Sequence, residues 1–102
     1  MQVIVQNKIN ELKKLCSNLN IRKLYVFGSA VSNKFNDSSD IDLLISFSED
    51  LSVEEYTQNY FKLHYKLRKL FNRDIDIVTE KTLSNPYLIE SINETKELIY
   101  EA

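Results

Sequence analysis

The chain has 102 residues, 43% of them hydrophobic, which is enough for one compact core over residues 1–102 and none to spare for a second. Its 13 Lys and Arg against 15 Asp and Glu leave a net charge of -2 with no basic run, so long-range attraction to nucleic acid phosphates is weak and a DNA or RNA binder is not expected. No apolar run approaches membrane-spanning length and "MQVIVQNKINELKK" carries no leader pattern, which predicts a cytoplasmic protein, while a lone Cys16 without CxxC or Cys/His companions reads as a small buried side chain.

Val5, Ile9, Leu12, Cys16 and Leu19 recur at helical spacing, which predicts an amphipathic helix from about Val3 to Asn18. "KLYVF", 23 to 27, is β-branched and aromatic and runs straight into Gly28, the only glycine of the chain, so it reads as a buried strand with an abrupt end. "SAVSNK" follows as a short helix or turn and "FNDSS" as a polar loop. "IDLLISF", 41 to 47, is the second strand. Ser52 and Glu55 form a capping box that starts a helix whose inward seam is Val53, Tyr56, Tyr60, Leu63, Leu67 and Leu70. Phe61, His64 and Tyr65 widen its apolar surface beyond what one sheet face needs, which points to a partner surface; His64 itself reads as a partly buried packing residue.

"DIDIVT", 74 to 79, is the third strand, and Asn85-Pro86 opens a last helix, with Asn as cap and Pro at the first helical position. Leu88, Ile89, Ile92 and Ile99 form its expected buried stripe; Glu90, Glu94, Lys96 and Glu97 form its solvated face. The order helix, strand, short helix, strand, helix, strand, helix predicts an α/β (α+β) fold, a small mixed β-sheet flanked by helices.

The chemistry lies between Gly28 and Asp76. Side chains alternate along a strand, so Asp40 and Asp42 share one side while Ile41, Leu43 and Ile45 take the other. Carboxylates in an apolar strand are costly unless paired, and no Lys or Arg lies within five residues of Asp42. Hard oxygen ligands on a rigid strand, without Cys or His, suit Mg²⁺, which takes one or two carboxylates and leaves its other positions to water and substrate phosphates. Gly28-Ser29 supplies the other half: glycine lets backbone approach a ligand closely, and the Ser29 amide and hydroxyl open a short helix whose free N–H groups attract anions. Two metal ions flanking a displacement at phosphorus require a third acid, which "RDIDIV" offers as Asp74 or Asp76. Asp76 is preferred, because it lies between Ile75 and Ile77 inside the strand, whereas Asp74 sits beside Arg73 at the entrance and pairs with it or shapes the turn.

Gly28-Ser29, ten intervening residues, Asp40-Ile41-Asp42, then Ile75-Asp76-Ile77 resembles the nucleotidyltransferases of the DNA polymerase beta type, and specifically the minimal nucleotidyltransferases, over nearly the whole chain. The resemblance implies a polymerase beta-like fold in which Asp40, Asp42 and Asp76 bind two Mg²⁺ ions, Asp76 assists deprotonation of the attacking hydroxyl, and Gly28-Ser29 holds the triphosphate of ATP. It further implies AMP transfer to a hydroxyl of a partner, since the minimal enzymes are commonly antitoxins paired with a HEPN ribonuclease toxin that they bind and adenylylate on tyrosine. Relatives often read Gly-Ser-Arg-Ala-Arg-Gly; this chain has Gly28-Ser29-Ala30-Val31-Ser32-Asn33, with Lys34 as the nearest replacement cation and Asn33 as the candidate for the left-handed backbone. The competing reading is a catalytically inactive partner-binding module of the same fold. An aminoglycoside-type enzyme would need a second domain, and a template-directed polymerase fails on charge and size.

Overall fold

The computed structural model describes residues 1–102. Helix α1 (Val3–Gln6) and helix α2 (Ile9–Asn18) lead into strand β1 (Ile21–Phe27), a 3-10 turn (Gly28–Val31) and strand β2 (Ile41–Phe47). Helix α3 (Val53–Phe71), strand β3 (Ile75–Thr79), a second 3-10 turn (Glu80–Thr82), helix α4 (Pro86–Thr95) and strand β4 (Glu97–Glu101) complete the chain. The sheet order is β3-β2-β1-β4; β1 runs antiparallel to both β2 and β4, and β2 runs parallel to β3 across the α3 connection.

The expected single helix over 3–18 is two. The Asn7 amide closes the first turn on Val3 O, and Lys8 then leaves the α region at φ -115°, ψ 11°. Val3, Ile4 and Val5 are β-branched and Asn7 is a weak helix former, so local propensity does not hold the turn together. The helix predicted after Asn85 ends at Thr95, and Glu97 and Ile99, assigned to it from the sequence, belong to β4. Its start is as expected, with Asn85 Oδ1 accepting from the Tyr87 and Leu88 amides. Of the expected stripe, Ile92 is buried, Ile89 is half-buried, Leu88 is exposed, and Ile99 is buried from the strand instead.

Alternation splits the sheet into two unequal faces. One carries Ile41, Leu43, Ile45 and Phe47 of β2 into a cluster of 17 buried residues that includes Leu12 and Cys16 of α2 and Leu63, Leu67 and Phe71 of α3. The other buries only Phe27, Leu44 and Ile92, under α4. The capping box of α3 is formed by Ser52 and Glu55. Val53 is exposed rather than part of the inward seam, because it is the first helical residue, ahead of the turns that meet the core. Asn20 at φ 60° and Asn72 at φ 52° supply the left-handed residues that end α2 and α3; Asn33, expected to take that conformation, does not.

Candidate active site

Gly28 ends β1 at φ 70° and opens the 3-10 turn, with its N–H donating to Thr95 Oγ1 at 3.2 Å. Antiparallel pairing sets Phe27 opposite Asp42, which brings the Asp42 carboxylate over the turn. A Cβ at position 28 would stand 2.5 Å from Asp42 Oδ2, closer than any side chain tolerates. Glycine is therefore required twice, for the left-handed backbone and for the carboxylate that leans on it.

The parallel register pairs Asp42 with Asp76, and residues paired across adjacent strands show their side chains on the same face. Asp42 is half-buried, whereas Asp40 and Asp76 are exposed. Burial, then the negative charge of Asp76, then that of Asp40, push the Asp42 carboxyl up to about 6. None of the three forms an ion pair with Lys or Arg. The fold thus concentrates negative charge and leaves it uncompensated, which makes a cation the natural counterpart. The donor set is all carboxylate oxygen, which fits Mg²⁺ and does not fit zinc or copper. No three His, Cys, Asp or Glu side chains stand close enough together to hold a metal ion by themselves.

Asp74 lies outside this group. It precedes β3 and pairs with Arg68 at 3.2 Å, not with Arg73 as its neighbourhood in sequence suggested. Arg73 turns the other way: Nη1 donates to Asn36 O at 3.2 Å and Ser39 O at 2.9 Å, and the guanidinium lies 4.5 Å from the Phe35 ring centre. With the Ile41 amide donating to Asp74 O at 3.1 Å, Arg73 fastens the loop that delivers Asp40 to the start of β3. Neither Arg73 nor Thr95 stood out in the sequence, because their partners lie 34 or more positions away and no local pattern announces such bonds.

Ser29 sits in a four-residue 3-10 turn, the short helix or turn read from the sequence, and its carbonyl accepts from the Ser32 amide. Lys34, the candidate replacement cation, is exposed and forms no ion pair. His64 is half-buried and its Nε2 donates to Ile75 O at 3.2 Å, the packing role its position suggested. The buried Cys16 thiol is pushed up to about 12 by desolvation and is chemically inert. The largest cavity, about 630 Å³, lies at the far end of β2, where Ser46, Phe47, Tyr56 and Lys81 are among its walls, and contains none of the three aspartates.

Residues 10–102 match the family described as Polymerase beta, Nucleotidyltransferase. The chain is 32% identical over 88 residues to a Methanocaldococcus jannaschii protein named "Putative protein adenylyltransferase", an alignment that spans 86% of this chain and 84% of that one. A second protein of that name and organism is 34% identical over 80 residues, 78% of this chain and 76% of its own. Among solved structures, a "putative minimal nucleotidyltransferase" superposes with a TM-score of 0.72 at 24% identity over 95% of each chain. A chain from a toxin-antitoxin complex with AMP-PNP superposes with a TM-score of 0.72 at 21% identity, covering 92% of this chain and 73% of that one. A chain from the complex of tri-AMPylated Shewanella oneidensis HEPN toxin with MNT antitoxin gives 0.66 at 20% identity, covering 95% and 72%. These superpositions establish the fold, and the sequence matches establish more: the chain belongs to the polymerase beta nucleotidyltransferase family of enzymes.

Proposed function

We propose that this protein transfers AMP from ATP to a hydroxyl group of a partner protein, and that the partner is a HEPN ribonuclease toxin which it neutralises as antitoxin. The reading rests on one observation above the others: Asp42 is held in register with Asp76, against Gly28, with its carboxyl pushed up to about 6 and no cation of the protein to relieve it. A strand kept only for structure would be more stable without that charge. The names of the relatives supply the nucleotide and the acceptor class, and the toxin-antitoxin neighbours supply the partner.

In this reading Asp40, Asp42 and Asp76 hold two Mg²⁺ ions, and the Gly28-Ser29 turn gives the triphosphate room to approach the backbone. Bound magnesium would neutralise phosphate charge and lower the pKa of the acceptor hydroxyl. The acceptor oxygen attacks the α-phosphorus of ATP, the bond from that phosphorus to the bridging oxygen breaks, and pyrophosphate leaves with the electron pair. Asp76, the exposed member of the registered pair, takes the hydroxyl proton. Arg73 keeps the Asp40 loop in place, and the buried strand β2 holds Asp42, so the chain contributes alignment and charge rather than a covalent intermediate.

The decisive experiment incubates the protein with Mg²⁺, isotopically labelled ATP and a HEPN toxin protein, and reads the partner by mass spectrometry. An adenylyl adduct on the partner is expected, falling by ~100-fold or more with Asp42→Asn. Tight complex formation without any adduct would replace this reading with that of an inactive binding module.

A further inference from the structure

Helices α2 and α3 cover the face of the sheet turned away from the carboxylates, since the residues of β2 that pack against them are Ile41, Leu43, Ile45 and Phe47, which alternate with Asp42. Their outer side is strongly and unequally charged. From Lys8 to Asn18 there are three lysines and one acid, Glu11; from Tyr56 to Asn72 there are Lys62, Lys66, Arg68 and Lys69 and no carboxylate at all. These two stretches hold seven of the 13 cations of the chain and one of its 15 acids. Arg68 is paired with Asp74, but none of the six lysines forms an ion pair.

Between the two helices runs a groove of about 390 Å³, walled by Lys14, Lys66, Lys69 and Glu11 and floored by Leu15 and Leu70. Next to Lys69, Tyr65 of α3 is 60% exposed, and Lys69 Nζ stands 4.8 Å from the centre of its ring. Three lysines against the single carboxylate of Glu11 leave the slot net positive and favour an arriving anion, while the slot and the Tyr65 ring gain from an arriving apolar surface. A ligand that satisfies both is amphipathic and acidic.

We propose that this α2–α3 face docks an acidic amphipathic helix of a partner protein, its carboxylates meeting Lys14, Lys66 and Lys69 and its aliphatic seam filling the groove over Leu15 and Leu70. A helix laid in a groove between helices is a recurrent mode of peptide recognition, and opposite charge fixes its register and speeds its arrival. Nucleic acid fits less well: phosphates gain nothing from a leucine floor, and the net charge of -2 opposes a polyanion at long range. A partner seated here lies across the sheet from Asp42, so it leaves the Gly28 turn open to nucleotide. The surface stands whether or not AMP transfer is the activity of the site.

The test uses the whole chain and three probes: a helical peptide of about 20 residues, ~30 Å long, with a leucine seam flanked by glutamates; the same peptide with every Glu→Gln; and a single-stranded RNA. Fluorescence anisotropy should give saturable binding of the acidic peptide, weakened by salt and by ~10-fold or more in the glutamine version. Amide chemical-shift changes should be confined to α2 and α3. The triple variant Lys14→Glu, Lys66→Glu, Lys69→Glu should lose the peptide yet keep its melting temperature and its stabilisation by Mg²⁺-ATP. If that variant does not fold, Lys66→Ala with Lys69→Ala carries the same expectation. No saturable binding, equal binding of the neutral peptide, shifts outside α2 and α3, or tighter binding of the RNA would each overturn the proposal.

Discussion

The two faces of β2 differ by a single step along the chain. Leu43 belongs to the cluster of 17 buried residues, whereas Asp42 lies half-buried on the face that buries only Phe27, Leu44 and Ile92, where burial and two neighbouring carboxylates disfavour its charge. In the proposed function, the sheet therefore separates the face that packs from the face that carries the chemistry. Alternation with a period of two makes this division possible within seven residues, because one face can be optimised for packing without touching the other.

Substitutions at neighbouring positions should show this division as opposite signs. The largest effect is expected on the packed face: Leu43→Ala, at a fully buried position, should lower stability by ~2–5 kcal/mol in chemical denaturation. Gly28→Ala comes next, at ~1–3 kcal/mol, because alanine must take a φ of 70° and its Cβ meets Asp42 Oδ2. Adding Asp42→Ala should recover the part due to the clash and leave the backbone part, so a double-mutant cycle would separate the two. If the two changes simply add, the carboxylate does not lean on the glycine.

Asp42→Asn should act in the opposite direction, raising stability at pH 8 while removing activity. Asp42 titrates near 6 in the folded protein and near 3.8 when unfolded, so the folded state holds the proton more tightly. Wild-type stability should therefore fall as pH rises from about 4 to about 6 and be level above that. Full burial would make that displacement worth ~3 kcal/mol, and Asp42's contact with solvent reduces it to ~1 kcal/mol, a few degrees in melting temperature. The asparagine variant should lose this pH dependence, and Mg²⁺-ATP should raise the melting temperature of wild type but not of the variant. Smallest of all, Arg68→Ala should change stability by less than ~1 kcal/mol and leave transfer intact, since its pair with Asp74 is open to solvent on both sides. A large loss of activity there would bring Asp74 back as a functional acid.

Much of the site was legible because its parts are local patterns. Gly28 ends an apolar run, Asp40 and Asp42 interrupt another at a spacing of two, and Asp76 repeats the interruption in the next strand. The register that sets Asp76 against Asp42 follows once β2 and β3 are parallel neighbours. The capping box at Ser52 and the Asn85-Pro86 start were likewise legible, since both are satisfied within three residues. What was not legible depends on distant partners. Ile99 lies seven residues after Ile92, two helical turns, so the spacing reads as a helix and only pairing with β1 decides for β4. Arg73 chose the carbonyls of Asn36 and Ser39 over the carboxylate next to it, and the left-handed asparagines are Asn20 and Asn72, where helices must turn into strands, rather than Asn33.

The bond from the Gly28 amide to Thr95 Oγ1 joins groups 67 positions apart, and β4 closes on β1 over a similar distance. As the chain emerges from a ribosome, strand β1 must wait beside an open edge until β4 has been made. The Gly28 turn therefore reaches its final form only once Thr95 and β4 have joined it, which makes it a late feature of folding because its closing contacts span so long a stretch of chain.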